Sequence, residues 1–154
     1  MLTLAPGTHV DALLFDQAAV EALEAEGPLR VSLAQLALAR YPGQLLPEDR
    51  YEDWSARDRE RLRRRHLELL DVLVEEAIDR DSVDEAIRLL DRAMDEEPLD
   101  EERYLRAAEL LLRQGRRGGA RGIVERATAV RDGLGLPPGP RLVRLMRATG
   151  VERG

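Results

Sequence analysis

Apolar positions recur along most of this chain with the 3.6-residue period of an amphipathic helix, not the two-residue alternation of a half-buried strand. Leu62, His66, Leu69, Leu70 and Leu73 fall on one face of a long segment, and Ala86, Leu90 and Ala93 fall on one face of the next. The pattern then repeats. Leu70, Leu73, Val74 and Ala77 align with Tyr104, Ala107, Ala108 and Leu111, and Ala86, Leu90 and Ala93 align with Ala120, Val124 and Ala127, all at an offset of 34 residues. Chance alignment between alanine- and leucine-rich helices is the alternative, and it would have to account for all seven pairs.

Helix pairs with this period are the mark of tetratricopeptide architecture, in which small residues let neighbouring helices approach closely and larger ones fill the space between pairs. The punctuation fits. Ser82 with Glu85 forms a capping-box pattern, Asp100 is placed to cap the next helix, and Pro98 lies just past the preceding one. Gly115 is expected to stop one helix, and Gly133 and Gly135 another, ahead of PPGP at 137–140. Gly118, Gly119 and Gly122 each cost ~1 kcal/mol relative to alanine inside a helix, so that helix is expected to start late or fray.

The expected architecture is all-α: a tetratricopeptide-like right-handed stack of about seven helices in antiparallel hairpins. Residues 1–10 form an N-terminal extension, with Leu2 to Leu4 as one short possible strand. A single helical-repeat domain spans 11–149. It comprises a first hairpin at 11–41 (Asp11–Glu26, a turn at Gly27-Pro28, then Leu29–Tyr41) and a turn-rich connector at 42–53. Repeat hairpins at 54–97 and 100–134, a capping helix at 140–149 and a tail at 150–154 complete it.

Composition narrows the function. Its 154 residues suit one domain, and with 44% hydrophobic and 35% charged residues the chain is a helix-prone globule, not a disordered one. No apolar run approaches the roughly 20 residues of a membrane helix and no signal peptide opens the sequence, so a cytoplasmic location is expected. Without cysteine there is no disulfide, thiolate metal site or cysteine nucleophile. The net charge of −6 opposes long-range attraction to nucleic acid. All 24 basic residues are arginine and asparagine is absent, which reads as genomic bias.

Candidate chemistry is sparse. His9 and His66 belong to no metal-ligand pattern, and His66 reads as a structural histidine on the leucine face. GRRGGARG at 115–122 has glycines but lacks the Lys-Ser/Thr of a phosphate loop, and it resembles arginine-glycine RNA-binding segments only over this one short instance. No catalytic constellation is visible, so an enzyme is not expected and neither is a cofactor or metal.

The run GQLLPEDRYEDWSARDRERLRRRHLELL, followed by DEAIRLLDRAMDEEPLDEERYLRAAELLLRQGRRGGA, resembles the bacterial transcriptional activator domain of the regulators of antibiotic pathways. VDALLFD near residue 10 and the ending GLGLPPGPRLVRL extend the resemblance over roughly residues 8 to 147. It implies a tetratricopeptide-like fold and a non-enzymatic module for protein contacts in transcription: self-association (a homodimer), or engagement of transcription machinery or a DNA-binding partner. In the family this domain normally follows an N-terminal winged helix, and MLTLAPGTHVDALLF resembles the last wing strand running into the activator domain. The chain is then an excerpt or a stand-alone module, and DNA binding is not carried over to it.

Three surfaces are singled out. In tetratricopeptide stacks the first helix of each pair lines a concave groove. Glu68, Asp71, Glu75 and Asp79 from one repeat, with Glu102, Glu109 and Arg113 from the next, would give an acidic groove for a basic segment, or only a solvated face. A generic adaptor binding a basic peptide there is the alternative function. Arg57, Arg61, Arg64 and Arg65 form a basic side, diluted by Asp58 and by Glu60 paired with Arg64, which suits docking of a protein better than nucleic acid. Trp54, flanked by Tyr51 and Asp53, is expected to anchor the connector, with Asp53 or Ser55 capping the helix that follows; the alternative for Trp54 is a recognition residue.

Overall fold

The computed structural model describes residues 7–41 and 56–152, with side chains from Ala12 onward in the first stretch. Among the described residues there are seven α-helices and no strand: α1 (Gly7–Glu24), α2 (Gly27–Ala39), α3 (Ala56–Asp79), α4 (Val83–Glu96), α5 (Glu101–Arg113), α6 (Arg117–Gly133) and α7 (Pro140–Thr149). The fold is all-α and consistent with a tetratricopeptide-like stack. The expected strand at Leu2 to Leu4, the connector from Pro42 to Asp53, and Trp54 and Ser55 lie outside the described residues. The chain divides into two units at Glu76 and Ala77, within α3.

In the first unit, α1 and α2 pack against each other across a short turn in which Gly27 takes φ +61, a left-handed conformation glycine adopts freely. α1 opens at Gly7, ahead of the expected Asp11; no proline falls between Gly7 and Asp11 to bar the helix. Ala12, Phe15, Ala19 and Ala22 bury the helical stripe of α1, and Ala34 and Ala37 that of α2. From α3 come Leu62, Leu69, Leu70 and Val74. The rings of Phe15, Tyr41 and His66 form a row: Phe15 and Tyr41 have centroids 5.0 Å apart, and Tyr41 and His66 stack at 3.8 Å. His66 is fully buried, as its place on the leucine face requires.

In the second unit the 34-residue repeat becomes geometry. Ala86, Leu90 and Ala93 on α4 and Ala120, Val124 and Ala127 on α6 are all at most 1% exposed, and Tyr104, Ala107, Ala108 and Leu111 on α5 at most 3%. α4 and α6 each pack on α5, and α7 packs on α5 and α6. Each fully buried Leu or Val contributes about 1.5–3 kcal/mol of transfer free energy, so this spacing carries the fold.

The turns repeat as well. α3 closes with Ser82 N–H donating to the Ala77 carbonyl at 2.8 Å, and α5 with Arg116 N–H donating to Leu111 at 2.9 Å, one repeat later. Asp81 (φ +58) and Gly115 (φ +70) hold the left-handed position in the two turns. This closure explains why the expected capping box is not formed. It leaves Ser82 at ψ 68 instead of an extended angle, its side chain makes no cap bond, and Glu85 instead accepts from Arg80 at 2.7 Å. Asp100 does cap α5, accepting from Glu102 N–H at 3.1 Å.

α6 does not start late despite its three early glycines. It begins at Arg117 because Ala120, Ile123 and Val124 are buried and Ala120 N–H donates to the Arg116 carbonyl at 3.0 Å, so packing overrides local propensity.

Candidate protein-interaction surfaces

Of the four arginines expected to form a basic side of α3, two point into the first unit. Arg61 and Arg65 each lie 3.6 Å from a different carboxylate oxygen of Asp16 on α1, at ion-pair and not hydrogen-bond distance. Arg61 also meets Asp58 at 3.3 Å, and Arg65 meets Glu68 at 3.6 Å. Arg57, Arg61 and Arg64 are exposed and Arg65 is half-buried. Glu60 does not select Arg64 as its hydrogen-bond partner. It takes Arg63 in a two-bond fork, 2.9 and 3.1 Å, and that hydrogen bonding holds its carboxyl below the usual range.

The acidic residues expected to line a groove divide between the units. In the first, Glu68 and Asp71 are half-buried and Glu75 is exposed; in the second, Asp79, Glu102 and Arg113 are exposed and Glu109 is half-buried. Glu68 is partly neutralised by Arg65. Glu102 and Glu109 are brought together by a residue not singled out from the sequence. Arg141, on the first turn of α7, donates from Nε and Nη2 to the two oxygens of Glu109 at 2.6 and 2.7 Å, and from Nη1 to both oxygens of Glu102 at 2.8 Å. These bonds hold the Glu109 carboxyl below its ordinary value and raise the Arg141 guanidinium, Glu109 first and Glu102 second. The acidic face of α5 is thus a guanidinium receptor already occupied by the chain's own arginine.

Other inter-helix contacts were also not anticipated. Arg126 on α6 donates to Asp91 on α4 at 2.8 Å and lies 5.5 Å above the Tyr104 ring of α5, joining three helices. Its guanidinium is raised, chiefly by the Asp91 bond. Arg116, just ahead of α6, bonds Asp84 on α4, and Arg131 on α6 meets Glu101 on α5 at 2.5 Å. Arg103, nearly buried, ties Glu97 at 3.1 Å and Asp100 at 2.5 Å beneath the α4–α5 turn, where the Tyr104 hydroxyl donates to the Pro98 carbonyl at 3.0 Å. A sequence signal existed: Asp84 and Arg116 are 32 residues apart, Asp91 and Arg126 are 35, and Glu109 and Arg141 are 32, so opposite charges sit close to one repeat length apart.

Among the described residues no group of three His, Asp or Glu side chains could hold a metal ion. No described helix is long and apolar enough to cross a membrane.

No curated protein matches the chain. The model of the bacterial transcriptional activator domain matches residues 10–149, from within α1 to the end of α7, and the chain belongs to that family.

Proposed function

We propose that this chain is a non-enzymatic protein-interaction module of a bacterial transcriptional regulator. Membership of the activator-domain family gives the role in transcriptional activation. Contact with protein is the means, through self-association or through transcription machinery or a DNA-binding partner. The observation that carries this reading is the family match across residues 10–149, in a chain whose fold is a helical repeat. Such repeats present extended surfaces to other proteins. The arginine stretch supports a protein partner over nucleic acid, because Arg61 and Arg65 are turned onto Asp16 and the net charge is −6.

The test is a mass measurement in solution, for the chain alone and with purified RNA polymerase subunits. A dimer, or a stoichiometric complex with one subunit, is expected. A chain that stays monomeric at high concentration and passes every subunit and its cognate DNA-binding domain unchanged would overturn the proposal. Binding to duplex DNA that survives physiological salt would redirect it to nucleic acid.

The adaptor reading rests on Asp71 and Glu75 and not on Glu102 and Glu109, whose carboxylates Arg141 already occupies. An Asp71→Arg and Glu75→Arg double variant that bound a basic partner as well as the parent would remove it.

A further inference from the structure

The second unit contains a cavity of about 130 Å³ beside the α3–α4 turn, lined by Ile78, Asp81, Val83, Leu110, Arg113 and Gln114. Sites for small-molecule ligands run to roughly 300–1,000 Å³. This one has room for a single side chain. Its floor is aliphatic: Leu110 is buried, and Ile78 and Val83 are half-buried. Its polar members are of opposite charge, Asp81 and Arg113, both exposed; no hydrogen bond holds either side chain among the described residues, and Arg113 lends its charge to the Glu109 carboxylate one turn back.

The conformation of Asp81 is the second observation. At φ +58 it occupies the left-handed position of the helix-closing turn, a region that aspartate enters less readily than glycine. One repeat later the same turn, with the same backbone bonds, uses Gly115 at φ +70. Val83 is likewise replaced by Arg117 at the later turn. A carboxylate and an apolar floor therefore occur together at the first turn and at neither position of the second. A left-handed aspartate in a cavity lining, where the next repeat has glycine, points to a use for its carboxylate.

We propose that this cavity is a subsite for one aliphatic side chain of a partner protein, in a segment that places a basic residue against Asp81 and an acidic residue against Arg113. The aliphatic side chain covers Ile78, Val83 and Leu110, and the two flanking charges fix the direction of the segment. The proposal rests on the protein-interaction reading and specifies the chemistry of the partner.

The test is a titration of the whole ¹⁵N-labelled chain, followed by amide chemical shifts. The probes are the blocked tripeptides Arg-Leu-Glu and Glu-Leu-Arg, with Arg-Ser-Glu and Glu-Ser-Arg as controls. One of the leucine peptides is expected to shift Ile78, Asp81, Val83, Leu110 and Gln114 saturably. Its serine counterpart is expected to bind at least about tenfold more weakly, since the buried leucine supplies the affinity. Asp81→Asn keeps the left-handed turn and Arg113→Gln keeps the helix. Each should weaken the preferred peptide about 1.5- to fivefold, as loss of one partly exposed charge pair does. No saturable shift at these amides with either leucine peptide, equal binding of the serine control, or unchanged affinity in both variants would overturn the subsite. Complex formation with polymerase subunits is a separate readout, so the subsite can fail while the interaction module stands, and the reverse.

Discussion

The Arg141 clamp gives the sharpest energetic test of how the second unit is held together. One guanidinium on α7 makes four bonds of 2.6–2.8 Å to two carboxylates on α5, so the pair fixes the capping helix against its neighbour. The Arg141 side chain is 36% exposed and that of Glu109 38%, so solvent screens the attraction heavily. Exposed pairs contribute about 0.2–1 kcal/mol, and the two-bond geometry moves this one to the top of that range. Glu102, at 63% exposed, adds a few tenths. Arg141→Met should therefore destabilise by about 1–1.5 kcal/mol. A double-mutant cycle with Glu109→Gln, read by urea denaturation, should return a coupling of about 1 kcal/mol at neutral pH. The pH dependence follows from Glu109, whose folded carboxyl sits below its ordinary value of 4.5 because Arg141 hydrogen-bonds the ionised form. A depressed carboxyl contributes stability above 4.5, and loses it as pH falls through its folded value. The coupling should be whole at pH 7 and fade in the acid range below 4.5. A coupling below ~0.3 kcal/mol at pH 7, or one that is unchanged in acid while unfolding remains cooperative, would refute the clamp.

Three further substitutions probe the backbone. Gly118→Ala and Gly122→Ala meet no atom within 4 Å at the added methyl and sit in a continuous helix, so each should stabilise by up to ~1 kcal/mol, additively, in the same denaturation assay. A loss of stability in either would show that α6 does not run unbroken from Arg117. Asp81→Gly should relieve the left-handed turn and stabilise by about 0.5–1 kcal/mol, while removing the carboxylate from the cavity. A variant both more stable and weaker in peptide binding would show stability given up for recognition, and a destabilised one would contradict the strain.

The parts of the fold that sequence made legible are those in which burial recurs with a period. Ala86 and Ala120, Leu90 and Val124, and Ala93 and Ala127 carry the same burial one repeat apart, so aligning them amounts to reading the core. Turn ends at Gly115 and Gly135 were legible for a similar reason, since only glycine takes φ near +70 without cost. Asp81 was not legible, because the same turn is built there with a residue that rarely accepts it. The capping-box expectation at Ser82 and Glu85 failed on geometry that no local motif encodes: closure of α3 fixed the backbone of Ser82 first. Glycine propensity misplaced the start of α6, since burial of Ala120, Ile123 and Val124 outweighs three exposed glycines. Of the residues expected to line a groove, Glu102 and Arg113 are exposed and Glu109 is half-buried, and the partner of the two glutamates could not be read from register because Arg141 reaches them across a helix-to-helix contact.

That contact alters the meaning of the arginine content. Arginine without lysine looked like a compositional accident, yet the fold uses what only a guanidinium supplies. Arg141 serves two carboxylates at once through a planar fork, and Arg126 holds Asp91 while lying over the Tyr104 ring. An ammonium would be a point charge at either place, able to keep the attraction but not the two-carboxylate geometry or the ring contact. Arg61 and Arg65 show the same habit in the first unit, both turned onto Asp16. The positive charge that made residues 57–65 resemble a nucleic-acid surface is thus partly consumed between helices. What the second unit leaves open instead is a small cavity bearing one acid and one base, the combination on which the proposed peptide subsite rests.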